Sequence, residues 1–319
     1  MSAEKTGDVG NLDLGPGKEF DLVRTLLSEW GKSAQHIGDD AAIIEVPAGE
    51  KLVITTDTSV DGVHFRREWL NHFEIGYRAT AAALSDLAAM AARPLGIVIA
   101  LTLPEADRLE ARALATGIRE GASAVLCPIV GGDLSSGKTL SLTITAIGSV
   151  ARPISRAGAK AGQRVYVTGY LGGPAAAVRA WREGREPTER DRGRFANPIP
   201  RIEPAVGLAQ RGATSAIDIS DGLIADLGHV AAASKVRIEI DVDRIPHIEG
   251  VSAIQAANSG EEYEIVVTAP AIDTKDFSAE FGLDLTEIGR VVAGSAAVDL
   301  LKDGKKITAP PGFDHFRDT

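Results

Sequence analysis

This chain is short of several features, and each shortage removes a class of chemistry. Cys127 is the only cysteine among 319 residues, so no intrachain disulfide can form and a reducing cytoplasm is the expected compartment. It follows the apolar stretch Ala124-Val125-Leu126, so a packed, inert thiol is expected rather than a nucleophile. Basic charge is scarce: 34 Lys and Arg face 44 Asp and Glu, for a net charge of −10. That balance argues against sequence-independent nucleic-acid binding, which needs a basic face. The longest apolar stretch, near residues 95–100, is far short of the roughly 20 residues a membrane helix requires. Residues 1–17 read as a polar, loose arm without the apolar core of a signal peptide. No Cys/His cluster suited to zinc and no Ser-His-Asp arrangement stands out.

What remains is an ordinary globular composition, 44% hydrophobic and 24% charged with a mean hydropathy of +0.02, and enough length for about two domains. Apolar spacing predicts a helix over 19–30, strands over 41–46 and 51–56, and an Ala-rich helix over 74–92. A strand over 96–103, a helix over 105–121 and strands over 124–130 and 140–150 follow. The turn-rich, basic stretch after Val150 is taken as the domain join, giving domains over 18–150 and 151–319. The second half is read as strands over 164–168, 216–219, 236–242 and 263–268, with a helix started by the Gly169–Pro174 turn and another over 223–234. Residues 181–197 read as an exposed helix–loop, and Asp303-Gly304 as a hairpin turn. Strands and helices mix without a strict βαβ rhythm, so the expected class is α+β rather than a doubly wound sheet.

One motif misleads. Gly132-Asp-Leu-Ser-Ser-Gly137-Lys138-Thr139 fits the P-loop pattern, which works only when a helix starts at the lysine and aims its N–H groups at phosphate. Here Leu-Ser-Leu-Thr-Ile-Thr follows, alternating like a strand, so Lys138 is expected to be a hairpin-turn lysine.

The informative residues are acids at the edges of apolar runs. They stand in Gly38-Asp39-Asp40, Thr55-Thr56-Asp57, Ser59-Val60-Asp61-Gly62, Ser85-Asp86, Gly131-Gly132-Asp133, Ile217-Asp218, Ser220-Asp221-Gly222 and Gly260-Glu261-Glu262. Strand ends and helix starts are where active sites are usually assembled, and hard oxygen ligands suit Mg²⁺, which in turn binds phosphates. The pattern points to Mg²⁺-dependent phosphoryl transfer. On a strand, Thr55 and Asp57 share one face and Thr56 the other; an Asx turn closed by Asp57 is the plain alternative. Asp86 lies in a small apolar helix stripe, where a ligand role is set against an ion pair with Arg93. Ser220 or Asp221 is a natural N-cap for the helix over 223–234, which leaves Asp218 unexplained by capping. The two glycines before Asp133 would let backbone approach a phosphate, although turn chemistry explains them equally. Arg156 is a candidate phosphate clamp and His64 a candidate substrate contact.

Taken together, Ile37-Gly-Asp-Asp-Ala-Ala42, Thr55-Thr-Asp-Thr-Ser-Val-Asp-Gly-Val-His-Phe65, Leu84-Ser-Asp-Leu-Ala-Ala-Met90, Gly131-Gly-Asp133, Ser155-Arg-Ala-Gly-Ala-Lys160, Ile217-Asp-Ile-Ser-Asp-Gly-Leu223, Ser259-Gly-Glu-Glu-Tyr-Glu264 and Gly312-Phe-Asp-His-Phe316 resemble thiamine-monophosphate kinase, within the aminoimidazole-ribonucleotide-synthetase-like superfamily. The resemblance implies a two-domain synthetase-like fold: an N-terminal mixed α/β domain whose sheet pairs in a homodimer, and a C-terminal α+β domain, with the site in the cleft between them. It implies direct in-line transfer from ATP to thiamine monophosphate, several Mg²⁺ ions and no general base. By motif, Asp40, Thr55, Thr56, Asp57, Asp86, Asp133, Asp218 and Asp221 would hold metal, with Asp57 and Asp218 most critical. Gly132, Asp133, Arg156 and Ser220 would contact ATP; His64, Glu261 and Phe313 would contact the acceptor, Phe313 by stacking. Glu262 stands where the family usually has Asp, and Phe313 where relatives carry Tyr or Trp. The competing readings are aminoimidazole ribonucleotide synthetase and a non-catalytic Mg-nucleotide binder. Selenophosphate synthetase would want a reactive cysteine near the start, and none precedes Cys127.

Overall fold

The computed structural model describes residues 15–35 and 37–308; most of the expected N-terminal arm and Phe313 lie outside them. The chain divides into two compact units. One takes the described residues up to Ala48 with Ile54–Ala83 and Pro94–Gly148; the other takes Gly49–Val53, Leu84–Arg93 and the described residues from Ser149 onward.

In chain order the first elements are α1 (Lys18–Trp30), β1 (Lys51–Val60), α2 (His72–Ala89), β2 (Arg93–Leu103), α3 (Ala111–Ser123), β3 (Ile129–Ser136) and β4 (Ser141–Val150). The strands form one sheet in the order β1-β4-β2-β3, with β2 and β3 parallel. Strand β4 buries Leu142, Ile144 and Ala146 on one face and leaves Thr143 and Thr145 half-buried on the other, the period-two pattern of a one-sided sheet. The buried faces of α2 and α3 are built largely from Ala, Leu and Ile. On β1 the open face carries Leu52 and Ile54, 48% and 60% exposed, and then Thr56 and Thr58, whose hydroxyls pair with those of Thr145 and Thr143.

The second unit adds β5 (Arg164–Thr168), α4 (Gly173–Arg182), α5 (Glu189–Ala196), α6 (Ile202–Gln210), β6 (Ser215–Asp218), α7 (Leu223–Ser234), β7 (Arg237–Asp241), α8 (Ala253–Ala257), β8 (Ile265–Ala269), α9 (Thr274–Phe281), β9 (Leu285–Val292), β10 (Ala297–Lys302) and β11 (Lys305–Ile307). Its seven strands run β11-β10-β7-β9-β5-β8-β6. Strands β6 and β8 are buried at every residue, Ser215 and Asp218 of β6 included, as expected of strands covered on both faces. Strand β7 alternates instead. Val165, Val167, Ile217, Leu223, Leu227, Val230, Ile238 and Ile288 belong to one core that joins α7 to this sheet. The mixture of parallel and antiparallel pairs fits the α+β expectation.

Three expectations need correction. Residues 41–46 join neither sheet; Ile43 is 88% exposed, so the alternation there never found a partner strand. The strand placed at 124–130 begins at Ile129, because residues 124–126 form a turn with Leu126 at φ 56° while Cys127 fills the core. Lys138 lies between β3 and β4, which are not neighbours, so the expected hairpin is a connection that passes β2. A strand follows Lys138, and the P-loop geometry is absent.

Candidate functional site

The strongest constellation gathers around Asp218, the last residue of β6. Pairing with β8 and burial of every residue of the strand leave this carboxylate 4% exposed at its end. Ser85 Oγ, itself fully buried on α2, donates to Asp218 Oδ2 at 2.8 Å. Burial, and then the neighbouring charge of Asp86, push Asp218 up to about 7, against opposing pulls from Ser85 and Arg156. Asp86 is half-buried. Arg93, its alternative partner, is instead engaged with Glu203 at 3.2 Å.

Beyond Asp218 the chain turns through Ile219-Ser220-Asp221-Gly222 into α7. Neither Ser220 nor Asp221 caps that helix, contrary to expectation. The N-cap residue is Gly222, with φ 115° and no side-chain cap. Asp226, inside the first turn, takes the role: its Oδ2 accepts the backbone N–H groups of Ser220, Asp221 and Gly222, each at 3.1 Å. Sequence reasoning missed Asp226, although an acid reaching back to the N-cap is a known helix-start device. Burial, with the charges of Asp218 and Asp221, also pushes it up to about 7.

The Glu261 segment packs onto the same turn. Glu261 N–H donates to Ser220 O at 2.7 Å, and the amides of Glu262 and Tyr263 both donate to Ile219 O. Glu261 and Tyr263 sit at φ 62° and 52°, strained for non-glycine residues, and the Tyr263 hydroxyl donates to Glu261. Glu262 is buried and accepts Gly172 N–H at 2.5 Å and Arg194 at 3.3 Å. Burial still dominates and pushes it up to about 7, because Arg194 is shared with the equally buried Glu264. Arg201 completes this group with two bonds to Glu264. Arg156 sits exposed in a short 3-10 turn fixed by Ser155 and by Ser234, whose hydroxyl donates to the Arg156 carbonyl. Asp86, Arg156, Asp218, Ser220, Asp221 and Glu261 therefore all belong to the second unit.

Asp40, Thr55, Thr56, Asp57, His64, Gly132 and Asp133 belong to the first unit. Asp40 is exposed, its N–H donating to Asp39. Thr55 and Asp57 share a face of β1, while the Thr56 hydroxyl is 2.5 Å from that of Thr145 on the opposite face. Asp57 closes no turn, since β1 continues to Val60. His64 Nδ1 accepts the Val60 N–H, which leaves Nε2 as the donor. Asp133 is exposed on β3, separated from β1 by the two strands β4 and β2. At the usual strand spacing that separates it from Asp57 by about 14 Å within one sheet. Gly132 has a structural cause: a Cβ there would meet the Ile99 carbonyl at 2.3 Å. Cys127 is buried and its thiol is pushed up to about 12 by burial, which fits an inert residue.

The family description "AIR synthase related protein, N-terminal domain" matches residues 38–150, and the corresponding C-terminal domain matches residues 160–300. The thiamine-monophosphate kinase of Haemophilus influenzae is 35% identical, over 94% of this chain and 98% of its own. The crystal structure of the thiamine-monophosphate kinase of Stenotrophomonas maltophilia has a TM-score of 0.79 at 35% identity, covering 91% of this chain and 98% of that one. AaThiL complexed with AMPPCP and TMP has a TM-score of 0.74 at 31% identity, covering 93% and 97%.

Proposed function

Because the chain belongs to the thiamine-monophosphate kinase family, we infer that it transfers the γ-phosphate of ATP to thiamine monophosphate, giving ADP and thiamine diphosphate. The observation that carries this reading is Asp218, a carboxylate buried at a strand end beside Asp86, with Asp221 on the following turn. We propose that Asp86, Asp218 and Asp221 hold Mg²⁺ in the second unit, and that Asp40, Thr55, Asp57, Asp133 and the backbone oxygen of Thr56 do so in the first. The donor set fits that ion, being all oxygen, with crowded carboxylates whose repulsion a divalent cation relieves. When bound, Mg²⁺ supplies charge neutralisation at phosphate oxygens.

The chain's own residues do the rest. Ser220, Gly132, Asp133 and Arg156 hold the nucleotide. His64, Glu261 and Phe313 hold the acceptor, with Phe313 suited to stacking on the rings. The acceptor phosphate oxygen is already an anionic nucleophile, so no side chain needs to remove a proton. The task is to align two polyanions in line.

The domains proposed are 18–150 and 151–319 after an arm of residues 1–17. We also propose a homodimer, supported by the open β1 face of Leu52, Ile54, Thr56 and Thr58. A second copy would further offer its own Asp133, which one sheet holds away from Asp57. No helix among the described residues is long and apolar enough to cross a membrane, and the single buried thiol agrees with a cytoplasmic enzyme.

The test is transfer of labelled phosphate from ATP to thiamine monophosphate with and without Mg²⁺. Magnesium-dependent label in thiamine diphosphate is expected. Tight ATP binding without transfer would replace the kinase with a nucleotide-binding protein, and ADP formation only with another acceptor would point to a synthetase.

A further inference from the structure

The Ile219-to-Gly222 turn is tied on almost every side. Ile219 N–H donates to Glu264 O at 2.8 Å, and the carbonyls of Ile219 and Ser220 take the amides of residues 261–263. Gly222 O accepts the Asp226 amide at 3.0 Å. The remaining amides, of Ser220, Asp221 and Gly222, converge on one atom, Asp226 Oδ2. Asp226 is 2% exposed, so this carboxylate is committed to the protein interior. Closure is tight on the other side too, where a Cβ on Gly260 would meet Ser220 O at 2.6 Å.

An ordinary N-cap uses the side chain at the helix edge to satisfy the first amides. Had Ser220 or Asp221 done so, its oxygen would be turned onto the backbone. The interior acid releases both. We propose that Asp226 is the positioning residue of this turn: by holding three successive amides it frees the Ser220 hydroxyl for nucleotide and the Asp221 carboxylate for the divalent cation, without ligating the cation itself. The assignment rests on the reading of Ser220 and Asp221 given under the proposed function. Side-chain atoms of Asp221, Asp226 and His229 do come within 4.8 Å of one another, a spacing an ion could use. Three N–H dipoles directed at Asp226 Oδ2 oppose a cation at that oxygen.

The experiment uses the full chain with Asp226→Asn, which keeps the shape and an acceptor oxygen, and Asp226→Ala, which keeps neither. Hydrogen exchange of the peptide spanning 219–222 is measured without metal, and Mn²⁺ binding with ATP is measured by electron paramagnetic resonance. In Asp226→Ala, exchange is expected to accelerate and Mn²⁺ affinity to fall, each on the order of tenfold, as for loss of a strong cap. Asp226→Asn is expected to fall between the two, with the number of Mn²⁺ ions per chain unchanged. Should Asp226→Ala fail to fold, Asp226→Asn alone decides. Wild-type protection and affinity in both variants would overturn the proposal, as would loss of one Mn²⁺ per chain in Asp226→Asn, which would make Asp226 a ligand. If the wild type binds no Mn²⁺, the cation reading fails by itself, and the metal-free exchange arm still tests the positioning of the turn.

Discussion

The two units use the same side chain in opposite ways. In the first, Asp40 and Asp133 are exposed and Asp57 is half-buried near the end of a sheet-edge strand. Each can be altered with little consequence for packing. In the second, Asp218 and Asp226 are 4% and 2% exposed, crowded by one another and by Asp86 and Asp221, and satisfied by donors from Ser85 and the backbone. The difference teaches that acids given one proposed role, Asp57 and Asp218 among them, stand in two kinds of surroundings. One set waits in solvent at little cost to the fold; the other is stored under electrostatic stress that burial maintains.

The largest effect that would break this comparison lies in activity combined with stability. Asp57→Asn and Asp218→Asn are each expected to reduce turnover on the order of a thousandfold, as loss of a principal charge-stabilising group does. Their stabilities are expected to part: Asp57→Asn stays within about 0.5 kcal/mol of the wild type, as surface changes do, while metal-free Asp218→Asn gains stability at neutral pH by removing a buried charge. Thermal unfolding of both without metal settles it, and equal shifts would dissolve the distinction.

A second effect sharpens the picture at Glu262. Its value of about 7 lies above the ordinary 4.5, so the unfolded chain releases this proton first. Between those pH values a rising pH removes stability, up to about 3 kcal/mol in all, and above 7 the loss is complete. Gln carries no such proton. Comparing Glu262→Gln with the wild type, the melting-temperature difference is expected to move in the variant's favour from pH 4 to pH 8; a flat difference would mean that Arg194 governs Glu262 rather than burial.

The smallest effect is at exposed Arg156. Arg156→Ala is expected to raise KM for ATP about tenfold with kcat nearly preserved, the cost of one guanidinium–phosphate contact. Steady-state kinetics with ATP varied measure it, and an unchanged KM would remove Arg156 from the nucleotide site.

Much of this architecture is legible in the amino-acid sequence itself. The 3.6-residue spacing of Phe20, Val23, Leu26 and Leu27 marked α1, and apolar runs marked β2, β4, β5, β6 and α7, because burial imposes those periods directly. The alternation at 41–46 failed because a strand also needs a neighbour, and pairing is not written in one segment. At the site, Asp86, Asp218 and Asp221 stood out as acids with no packing purpose. Asp226 did not, since one acid on a helix looks like solvation until the turn folds back over it. Ser85 and Glu264 were invisible for a related reason: their partners lie 133 and 63 to 96 positions away.

The tie between the Glu261 segment and the Ser220 turn is made of main-chain atoms on both sides. Side-chain substitution leaves such a suture in place, so Glu262 can replace a shorter acid while the registry of the two loops persists. With the roles proposed for Glu261 and Ser220, it would also yoke the acceptor's contact to the nucleotide's through a few rigid peptide planes. Under those roles, whichever molecule arrives first would stiffen the seat awaiting the other.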